Sequence, residues 1–373
     1  MMNSTDVSFG AWYNEPGFDN DVVLSTRVRL ARNLVNFPFP SEFKQNDGSR
    51  VMALVFDAFS KITSPEIFQT LAVSNLEPMG QHILIERGVI EAETIGMDDS
   101  GIAVSMDGKT SCEVNCHDHV RIASFTTGCD TVKAFKMAKN IDDKLQKSLQ
   151  FAAAVDFGYL TASLNDTGTG MKVSTIVHLP SLGVTRGLEA LFNELAEKGI
   201  SAGACFGPGN QPHTVNGTSA ALGDYYQLST GTSMPQKEET QLDLLKEATE
   251  YATLSERNAR KTVIDTMETS LKDSVFRAYS QVLYCRLMNE SEAIDIVSRL
   301  KWGSDCGLLA GLDSSSFCSL LYRLRSSHLG FVNRSGTLKF ETDIISEEQK
   351  IQRLRSLIMQ EACESLKIIK QEK

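Results

Sequence analysis

The spacing of apolar residues changes along the chain at its last proline, Pro235. Upstream of it, short apolar runs alternate with turns rich in Gly and Asn, which predicts strands mixed with a few helices. Downstream, apolar residues recur every three or four positions, which predicts amphipathic helices. Two such sets are Val263, Met267, Leu271, Val275 and Ala278, and Ile294, Ile296, Leu300 and Leu308. We therefore expect a mixed front region and an all-helical back region, with the polar stretch "LSERNARK" (254–261) as a hinge.

Three predicted strands of the front region carry cations on one face, because side chains alternate along a strand. The polar faces are Ser25, Arg27 and Arg29; Lys172, Ser174 and His178; and Asn115, His117, His119 and Arg121. If these faces converge in one sheet, they form an anion pocket, since guanidinium groups match phosphate oxygens. The alternative for each strand taken alone is a solvated outer face.

Composition limits the classes of function. The chain has 373 residues, 42% of them hydrophobic, and a formal net charge of -10, which argues against a general nucleic-acid or acidic-membrane surface. Its eight cysteines include no CxxC pair, as expected for reduced thiols. The first thirty residues lack the apolar core of a signal peptide. We expect a cytoplasmic protein with neither a nucleic-acid nor a membrane partner.

The decapeptide "EVNCHDHVRI" (113–122) contains residue types that bind metals. Read as one strand, it points Cys112 and Cys116 away from His117 and His119, so it predicts no metal site and two buried thiols. The segment "NDTGTGMK" (165–172) has the glycines and lysine of a phosphate loop but precedes a β-type run. It therefore predicts a turn and not a nucleotide-binding P-loop.

The order and the amino-acid sequences of four segments point to one family. They are "STRVRLARNLVNFPFP" (25–40), "VNCHDHVRI" (114–122), "LTASLNDTGTGMKVSTIVHLPSL" (160–182) and the tail segment 273–309. They resemble the arginine-bearing opening motif, the Asn-Glu-Glu-Asp-His-Leu-Arg-Ile motif, the Gly-Thr-Gly segment and the helical domain of the phosphagen (guanidino) kinases of McsB type. The resemblance implies an α+β fold. Residues 1–256 would form a phosphotransferase domain on a mainly antiparallel sheet with flanking helices, and residues 257–373 a helical McsB-type domain.

The resemblance also implies a chemistry, phosphoryl transfer from MgATP to an arginine guanidinium of a protein, in a homodimer that has a McsA-like zinc-binding partner. Arg27, Arg29 and Arg121 match phosphate-binding arginines, and Lys172 stands at a fourth such position. The residues implied to line the nucleotide are Ser25, Thr26, Arg27, Val28, Arg29, Arg121, Lys172, Val173, Ser174, Thr175 and Ile176.

Several positions depart from the family pattern. The paired glutamates that would orient the guanidinium are Cys116 and His117 here, and the reactive cysteine is Ser163. Gly88 stands where a histidine is expected near the adenine. The segment "HTVNGT" (213–218) has His213 and Thr218 where the family has Arg and Glu, and "QKIQRL" (349–354) lacks the acid of the phosphoarginine-binding motif.

These departures predict a pseudokinase or a strongly weakened kinase with a binding or regulatory role. No catalytic residue is assigned, and MgATP binding is expected to be weak or lost. The alternative is an active protein arginine kinase in which Asp118 or His119 serves with a carboxylate from another loop. A metal-binding structural protein is the third class. Nucleotide binding without turnover separates the first two classes, and metal analysis tests the third.

Overall fold

The computed structural model describes residues 12–63, 67–206, 221–231 and 237–369. Its strands are β1 Val23–Arg32, β2 Phe68–Ala72, β3 Gly101–Ser105, β4 Thr110–Val114, β5 Val120–Thr127, β6 Ala153–Ala154, β7 Gly158–Tyr159, β8 Met171–His178, β9 Ile200–Ala204, β10 Tyr225–Thr230, β11 Leu309–Ala310 and β12 Lys367–Ile368. Its helices are α1 Asp47–Ser60, α2 Pro78–Glu86, α3 Thr131–Leu145, α4 Pro180–Val184, α5 Leu188–Glu197, α6 Glu238–Thr266, α7 Glu268–Tyr284, α8 Glu290–Asp305, α9 Ser314–Arg323, α10 Ser326–Ser335 and α11 Glu347–Ala362.

The main sheet has eight strands in the order β2-β3-β4-β5-β1-β8-β10-β9. The strand pairs from β2 through β1 are antiparallel. The predicted antiparallel sheet and helical C-terminal region are therefore confirmed. A short antiparallel pair, β11 with β12, interrupts the otherwise helical C-terminal part.

Contacts within the chain divide it into two compact units, and each unit is built from separate segments of the sequence. The first comprises Met1–Phe18, Ser25–Thr175 and Ser229–Glu247, and the second Asp19–Leu24, Ile176–Leu228 and Ala248–Lys373. The proposed boundary between residues 256 and 257 stays a prediction. None of the described helices is long and apolar enough to cross a membrane.

Strand β1 is anchored in the first unit by a buried ion pair at its end. The Arg32 guanidinium donates from Nε and Nη2 to the two carboxylate oxygens of Asp142, at 2.9 and 3.1 Å. It also donates to the carbonyl oxygens of Ala31 and Thr169, and lies 3.6 Å from the centroid of the Tyr159 ring. Because Asp142 and two carbonyl oxygens bind this buried charge, Arg32 has a structural role.

The decapeptide 113–122 is not a single strand, contrary to the sequence-based expectation. Strand β4 ends at Val114, β5 begins at Val120, and Val114 pairs with Val120 across the turn. Asn115 has a φ of 58°, in the left-handed region that Asn tolerates better than most residues. Its side-chain amide donates to the carbonyl oxygens of Gly48 and Asp99, both at 2.8 Å, which holds the turn in place. Alternation of side chains therefore stops at Asn115.

The predicted hinge at 254–261 was also wrong, because these residues lie inside helix α6. Their polar side chains make contacts within the second unit. The Glu256 carboxylate accepts hydrogen bonds from the backbone N–H groups of Ser181 and Leu182, both at 3.0 Å. Arg257 binds the Asp21 carboxylate at 2.5 Å. A polar stretch can thus be the ion-pairing face of a helix and not a flexible link.

Asp224 is expected to make the stability of the second unit depend on pH. Burial, together with the charges of Asp295 and Glu256, raises the pKa of Asp224 to about 7, although Arg299 opposes the shift. The folded protein then binds more protons than the unfolded chain between about pH 4 and pH 7, so stability should fall as pH rises through this range.

We expect Asp224→Asn to flatten this dependence, because Asn tolerates the φ of 56° at this position and carries no charge. Thermal unfolding between pH 5 and pH 8 would show a smaller loss of stability for the variant than for the native chain. The exposed Asp265→Asn is the control. Equal slopes for native chain and Asp224→Asn would contradict the assignment.

Candidate functional site

The four cations predicted to bind phosphate come together on one face of the sheet. Arg29 in β1 pairs with Ala123 in β5, and residues paired in this way point to the same face of the sheet. Arg121 precedes Ala123 by two residues, so Arg121 and Arg29 share that face. Arg27 follows on the same face of β1 at a spacing of two. Lys172, in β8, lies close enough to Arg27 and Arg29 for their charges to lower the pKa of its amine, in addition to burial. The predicted convergence is confirmed for these four cations, whereas His178, on the same predicted face as Lys172, is buried and its Nε2 lies 2.8 Å from Oγ of Ser298. Contact with a nucleotide stays a prediction.

A carboxylate that was not foreseen from the sequence binds two of these cations. Oε1 of Glu91 lies 2.7 Å from Nη1 of Arg29 and 2.7 Å from Nη1 of Arg121. The side chains of Arg29 and Arg121 are 17% and 14% exposed, so both ion pairs are largely shielded from water. Charge-assisted hydrogen bonds of this kind contribute about 1.5–3 kcal/mol each. We name Glu91, Arg29 and Arg121 the carboxylate clamp.

The clamp holds Glu91 in its charged form. Burial alone would raise its pKa, but Arg121, through charge and a hydrogen bond, and Arg29 and Arg27 lower the pKa of Glu91 to about 2. Conversely, burial would lower the pKa of Arg121, but the charges of Glu91 and Glu113 raise it. The clamp therefore persists across the whole physiological range of pH.

Two further carboxylates face the cations. Glu113, opposite Arg121 in β4, is buried, and its Oε2 lies 3.4 Å from Nη1 of Arg121. The backbone N–H of Glu91 and the hydroxyl of Thr94 both donate to Oε1 of Glu113. Asp166 lies close enough to Lys172, Arg29 and Arg121 for their charges to lower its pKa, although burial raises it more. The cations are therefore substantially neutralised by the chain itself.

Most of the remaining residues predicted to line a nucleotide have buried side chains. Thr26 donates its hydroxyl to the carbonyl oxygen of Gly128 at 2.7 Å and accepts from the backbone N–H of Asp130 at 3.2 Å. The others in this group are Ser25, Val28, Val173, Ser174 and Thr175. Ile176 is half-buried, as are Arg27, Arg29, Arg121 and Lys172. Among these predicted residues, the half-buried side chains are the ones with exposed surface for a ligand.

Asp118 and His119 are used by the fold. The Asp118 carboxylate accepts from the side-chain amide of Asn33 at 2.7 Å and from the backbone N–H of Ala162 at 2.8 Å. Nδ1 of His119 accepts from the backbone N–H of Leu34 at 2.9 Å, so Nε2 carries the proton and donates to the carbonyl oxygen of Pro38 at 2.7 Å. Burial lowers the pKa of His119. Both side chains therefore hold the 115–119 turn.

The other two residues of this turn approach Glu91. One ligand atom each of Glu91, Cys116 and His117 lie within 4.8 Å of one another, and Nε2 of His117 is 3.6 Å from Oε2 of Glu91. The geometric reason for excluding a metal, that Cys116 and His117 point to opposite faces of a strand, was wrong. The expected burial of the Cys112 and Cys116 thiols is confirmed, at 1% and 3% exposure.

The glycine segment 165–172 is a turn, as predicted. Gly168 exchanges backbone hydrogen bonds with Tyr159, at 2.8 and 3.0 Å, so its N–H is already used. Gly170 has a φ of 63°, and a Cβ there would lie 2.5 Å from the carbonyl oxygen of Ala31. Its own carbonyl oxygen accepts from the Ala31 N–H at 2.7 Å. These glycines bring the segment against β1.

Two departures from the family pattern, His213 and Thr218, lie outside the described residues. Gly88 is described, and a Cβ there would lie 3.6 Å from Nη1 of Arg27. Glu91 lies three residues further on, in the run "IEAET", which is typical of a solvated turn. Nothing in the neighbouring sequence indicates that Glu91 contacts the cations. Glu113 had a usable signal, since it opens the decapeptide eight residues before Arg121.

The segment 349–354 lies in helix α11, where Arg353 is already paired. Its Nε and Nη2 lie 2.9 and 2.8 Å from Oε1 of Glu341. Arg355 is buried, and donates to the carbonyl oxygens of Leu324 and Met288, both at 2.8 Å. Both guanidinium groups are therefore committed to contacts within the second unit.

Solved structures share this fold. The duplicated taurocyamine kinase from Schistosoma mansoni, with bound transition state analog components, matches with a TM-score of 0.56 and 19% identity. The match covers 65% of this chain and 34% of that chain, so this chain spans about a third of that protein. Lombricine kinase matches with a TM-score of 0.55 and 19% identity, covering 68% and 71% of the two chains. At this identity the likeness shows the fold alone.

Sequence comparison defines the family. The family model "ATP:guanido phosphotransferase, C-terminal catalytic domain" matches residues 50–259, more than half of the chain. The chain belongs to the ATP:guanido phosphotransferase family. The model "Protein-arginine kinase McsB C-terminal domain" matches residues 268–367. A curated protein-arginine kinase from Syntrophomonas wolfei is 31% identical over 328 residues, 86% of this chain and 89% of that protein. Within its family, this chain is therefore a McsB-type member.

We expect phosphoarginine not to bind at helix α11, because Glu341 already holds the Arg353 guanidinium and the acid of the family motif is missing. Melting curves of the native chain should not shift when phosphoarginine is added. A saturable shift in melting temperature that disappears in Arg353→Ala and persists in the exposed Arg334→Ala would contradict this expectation. It would show that phosphoarginine displaces Glu341 from Arg353.

Proposed function

We propose that this chain is a McsB-type pseudokinase, or a strongly weakened kinase, that acts by binding or regulation and not by phosphorylating arginine. The carboxylate clamp is the observation that supports this most. A nucleotide phosphate needs the guanidinium groups of Arg29 and Arg121, and Glu91 holds both at 2.7 Å. The family's name specifies ATP as its substrate. The half-buried cations suit its phosphates, but Glu91 competes with a phosphate for Nη1 of Arg29 and of Arg121.

This competition weakens nucleotide binding. A phosphate that approaches Nη1 of Arg29 or of Arg121 competes with the contact that Glu91 already makes there, so the net gain for that contact is smaller than about 1.5–3 kcal/mol. Lys172 adds to this, since an ammonium group lacks the planar fork by which arginine binds phosphate in two places. MgATP binding is therefore expected to be weak or lost.

The acceptor side lacks an evident base. A guanidinium is cationic and becomes a useful nucleophile only when a carboxylate orients it and takes its proton. Cys116 and His117 replace the glutamates implied for that role, and an imidazole cannot accept two parallel N–H bonds from a guanidinium. Asp118 and His119, the alternative candidates, are tied to Asn33, Leu34 and Pro38. No catalytic residue is therefore assigned among the described residues.

One observation favours the alternative, an active protein arginine kinase. Such an enzyme would need a carboxylate from another loop, and Glu91 is a carboxylate from another loop beside the cation cluster. Its Oε1 is engaged by Arg29 and Arg121, which would bind phosphate, while Oε2 lies 3.6 Å from His117. The two functions predict different outcomes when the Glu91 charge is removed: the kinase loses arginine phosphorylation, whereas the pseudokinase has none to lose and binds the nucleotide more tightly.

We further propose, from the family resemblance, a cytoplasmic homodimer formed through the helical domain. A McsA-like zinc-binding protein and client proteins are its proposed partners. Neither a nucleic acid nor a membrane belongs to this proposal, in keeping with the net charge of -10.

Glu91→Gln should bind MgATP at least about ten-fold more tightly than the native chain, since the neutral amide holds the arginines less strongly. Isothermal titration calorimetry measures this directly. Glu93→Gln, an exposed acid two residues away, is the matched control and should behave like the native chain. Micromolar or tighter binding by the native chain, unchanged in Glu91→Gln, would refute the clamp.

Arginine phosphorylation by the native chain should be absent or barely detectable. General-base assistance is worth about two to four orders of magnitude in rate, and positioning contributes about 7–11 kcal/mol in well-aligned systems. Mass spectrometry for acid-labile phosphoarginine, with and without a McsA-like partner, is the test, run beside a His117→Glu, Thr218→Glu double variant. Robust turnover by the native chain that is abolished in Arg27→Ala would establish the alternative.

A further inference from the structure

Glu91, Cys116 and His117 form a compact group of three different metal-binding side chains. Their ligand atoms lie within 4.8 Å of one another, although the residues come from two segments separated by strands β3 and β4. The group is not an accident of neighbouring positions in one helix or strand. It arises because the 115–119 turn brings Cys116 and His117 against the segment that follows α2.

The turn that carries two of these residues is held from several sides. Asn115 donates to Gly48 and Asp99, and its backbone N–H donates to the carbonyl oxygen of His119 at 3.2 Å. Asp118 and His119 fix the other end through Asn33 and Leu34. A pre-formed backbone reduces the conformational entropy that ligand side chains lose when they gather around an ion.

We propose that Glu91, Cys116 and His117 bind a zinc ion, which leaves a fourth position open. Thiolate, imidazole and carboxylate are the ligands that zinc uses in proteins, and three protein ligands with an open position are typical of a reactive site and not a purely structural one. This goes beyond the proposed function and reverses the sequence-based expectation of no metal.

The distances suit zinc after a small movement. Zinc bonds of about 2.0–2.3 Å in a tetrahedron place neighbouring ligand atoms roughly 3.3–3.7 Å apart. Nε2 of His117 and Oε2 of Glu91 are already 3.6 Å apart. The other ligand atoms are at most 4.8 Å apart and need to come closer together. His117 can move, since its side chain is 48% exposed.

The two oxygens of Glu91 have separate neighbours. Oε1 binds Arg29 and Arg121, and Oε2 faces His117. Zinc would therefore bind Oε2 while the arginines keep Oε1. Coordination by Cys116 replaces the thiol proton, which passes to solvent, and the resulting thiolate offsets one of the two charges of the ion.

The surroundings both support and oppose the ion. Oγ1 of Thr94 lies 3.3 Å from Sγ of Cys116, and its single proton, which it donates to Glu113, would have to turn to Cys116 to support a thiolate there. Arg29 and Arg121 repel a cation, which limits the affinity. Repulsion is reduced because Glu91 and Glu113 neutralise these arginines.

The test uses the untagged full chain, dialysed against zinc-buffered solution and then analysed for metal by mass spectrometry. We expect about one zinc ion per chain, with affinity reduced about ten-fold or more in Cys116→Ser and in His117→Gln. Replacement by cobalt(II) gives a second readout. A thiolate-to-cobalt absorption band should appear in the native chain and be absent from Cys116→Ser.

Matched controls are Cys129→Ser and His82→Gln, which change the same residue types outside the group and should bind zinc like the native chain. Because His117 is half exposed, His117→Gln should fold even if Cys116→Ser does not, and circular dichroism verifies this. Zinc content no higher in the native chain than in His117→Gln, or zinc retained without a thiolate–cobalt band, would overturn the proposal.

Discussion

Cations held close together on a partly buried sheet face must be neutralised, and this requirement organises the first unit. Two like charges about 4 Å apart repel by about 4 kcal/mol at the effective dielectric of a protein surface. Arg27, Arg29, Arg121 and Lys172 meet this cost with carboxylates of the chain. Glu91 supplies the shortest contacts, and Glu113 stands beside it at 3.4 Å from Arg121. A cluster of cations that the chain's own carboxylates partly neutralise has a smaller drive to bind phosphate.

The same carboxylate links two parts of the site. Oε1 of Glu91 contacts the cations that would hold a nucleotide, and Oε2 contacts His117 in the turn that would hold an acceptor. A ligand that displaces Glu91 from the arginines frees both oxygens, and an ion that binds Oε2 restrains Oε1. If both bind as proposed, nucleotide and metal would be coupled through one side chain, and any coupling of this kind is reciprocal.

The convergence of Arg27, Arg29, Arg121 and Lys172 could be predicted because it depends on the two-residue period of strands. The turn at 115–119 could not, because a single residue with positive φ, Asn115, ends that alternation. Glu91 reaches the cluster through tertiary packing, which leaves no local pattern. The stretch 254–261 was wrongly predicted to be a hinge for a related reason. Arg257 binds Asp19 and Asp21, more than 200 positions away along the chain, so the polarity of this stretch reflects long-range ion pairs and not flexibility.

The motif at 115–119 separates residues that build the turn from residues that face the cluster. Asn115, Asp118 and His119 match the family pattern, and each makes hydrogen bonds that hold the backbone. Cys116 and His117 depart from it, and their side chains approach Glu91. If relatives carry glutamates at these two positions, as the resemblance implies, their replacement leaves the contacts that hold the turn in place. The chain can therefore keep the fold and the arginines of a guanidino kinase while the chemistry of its acceptor side changes.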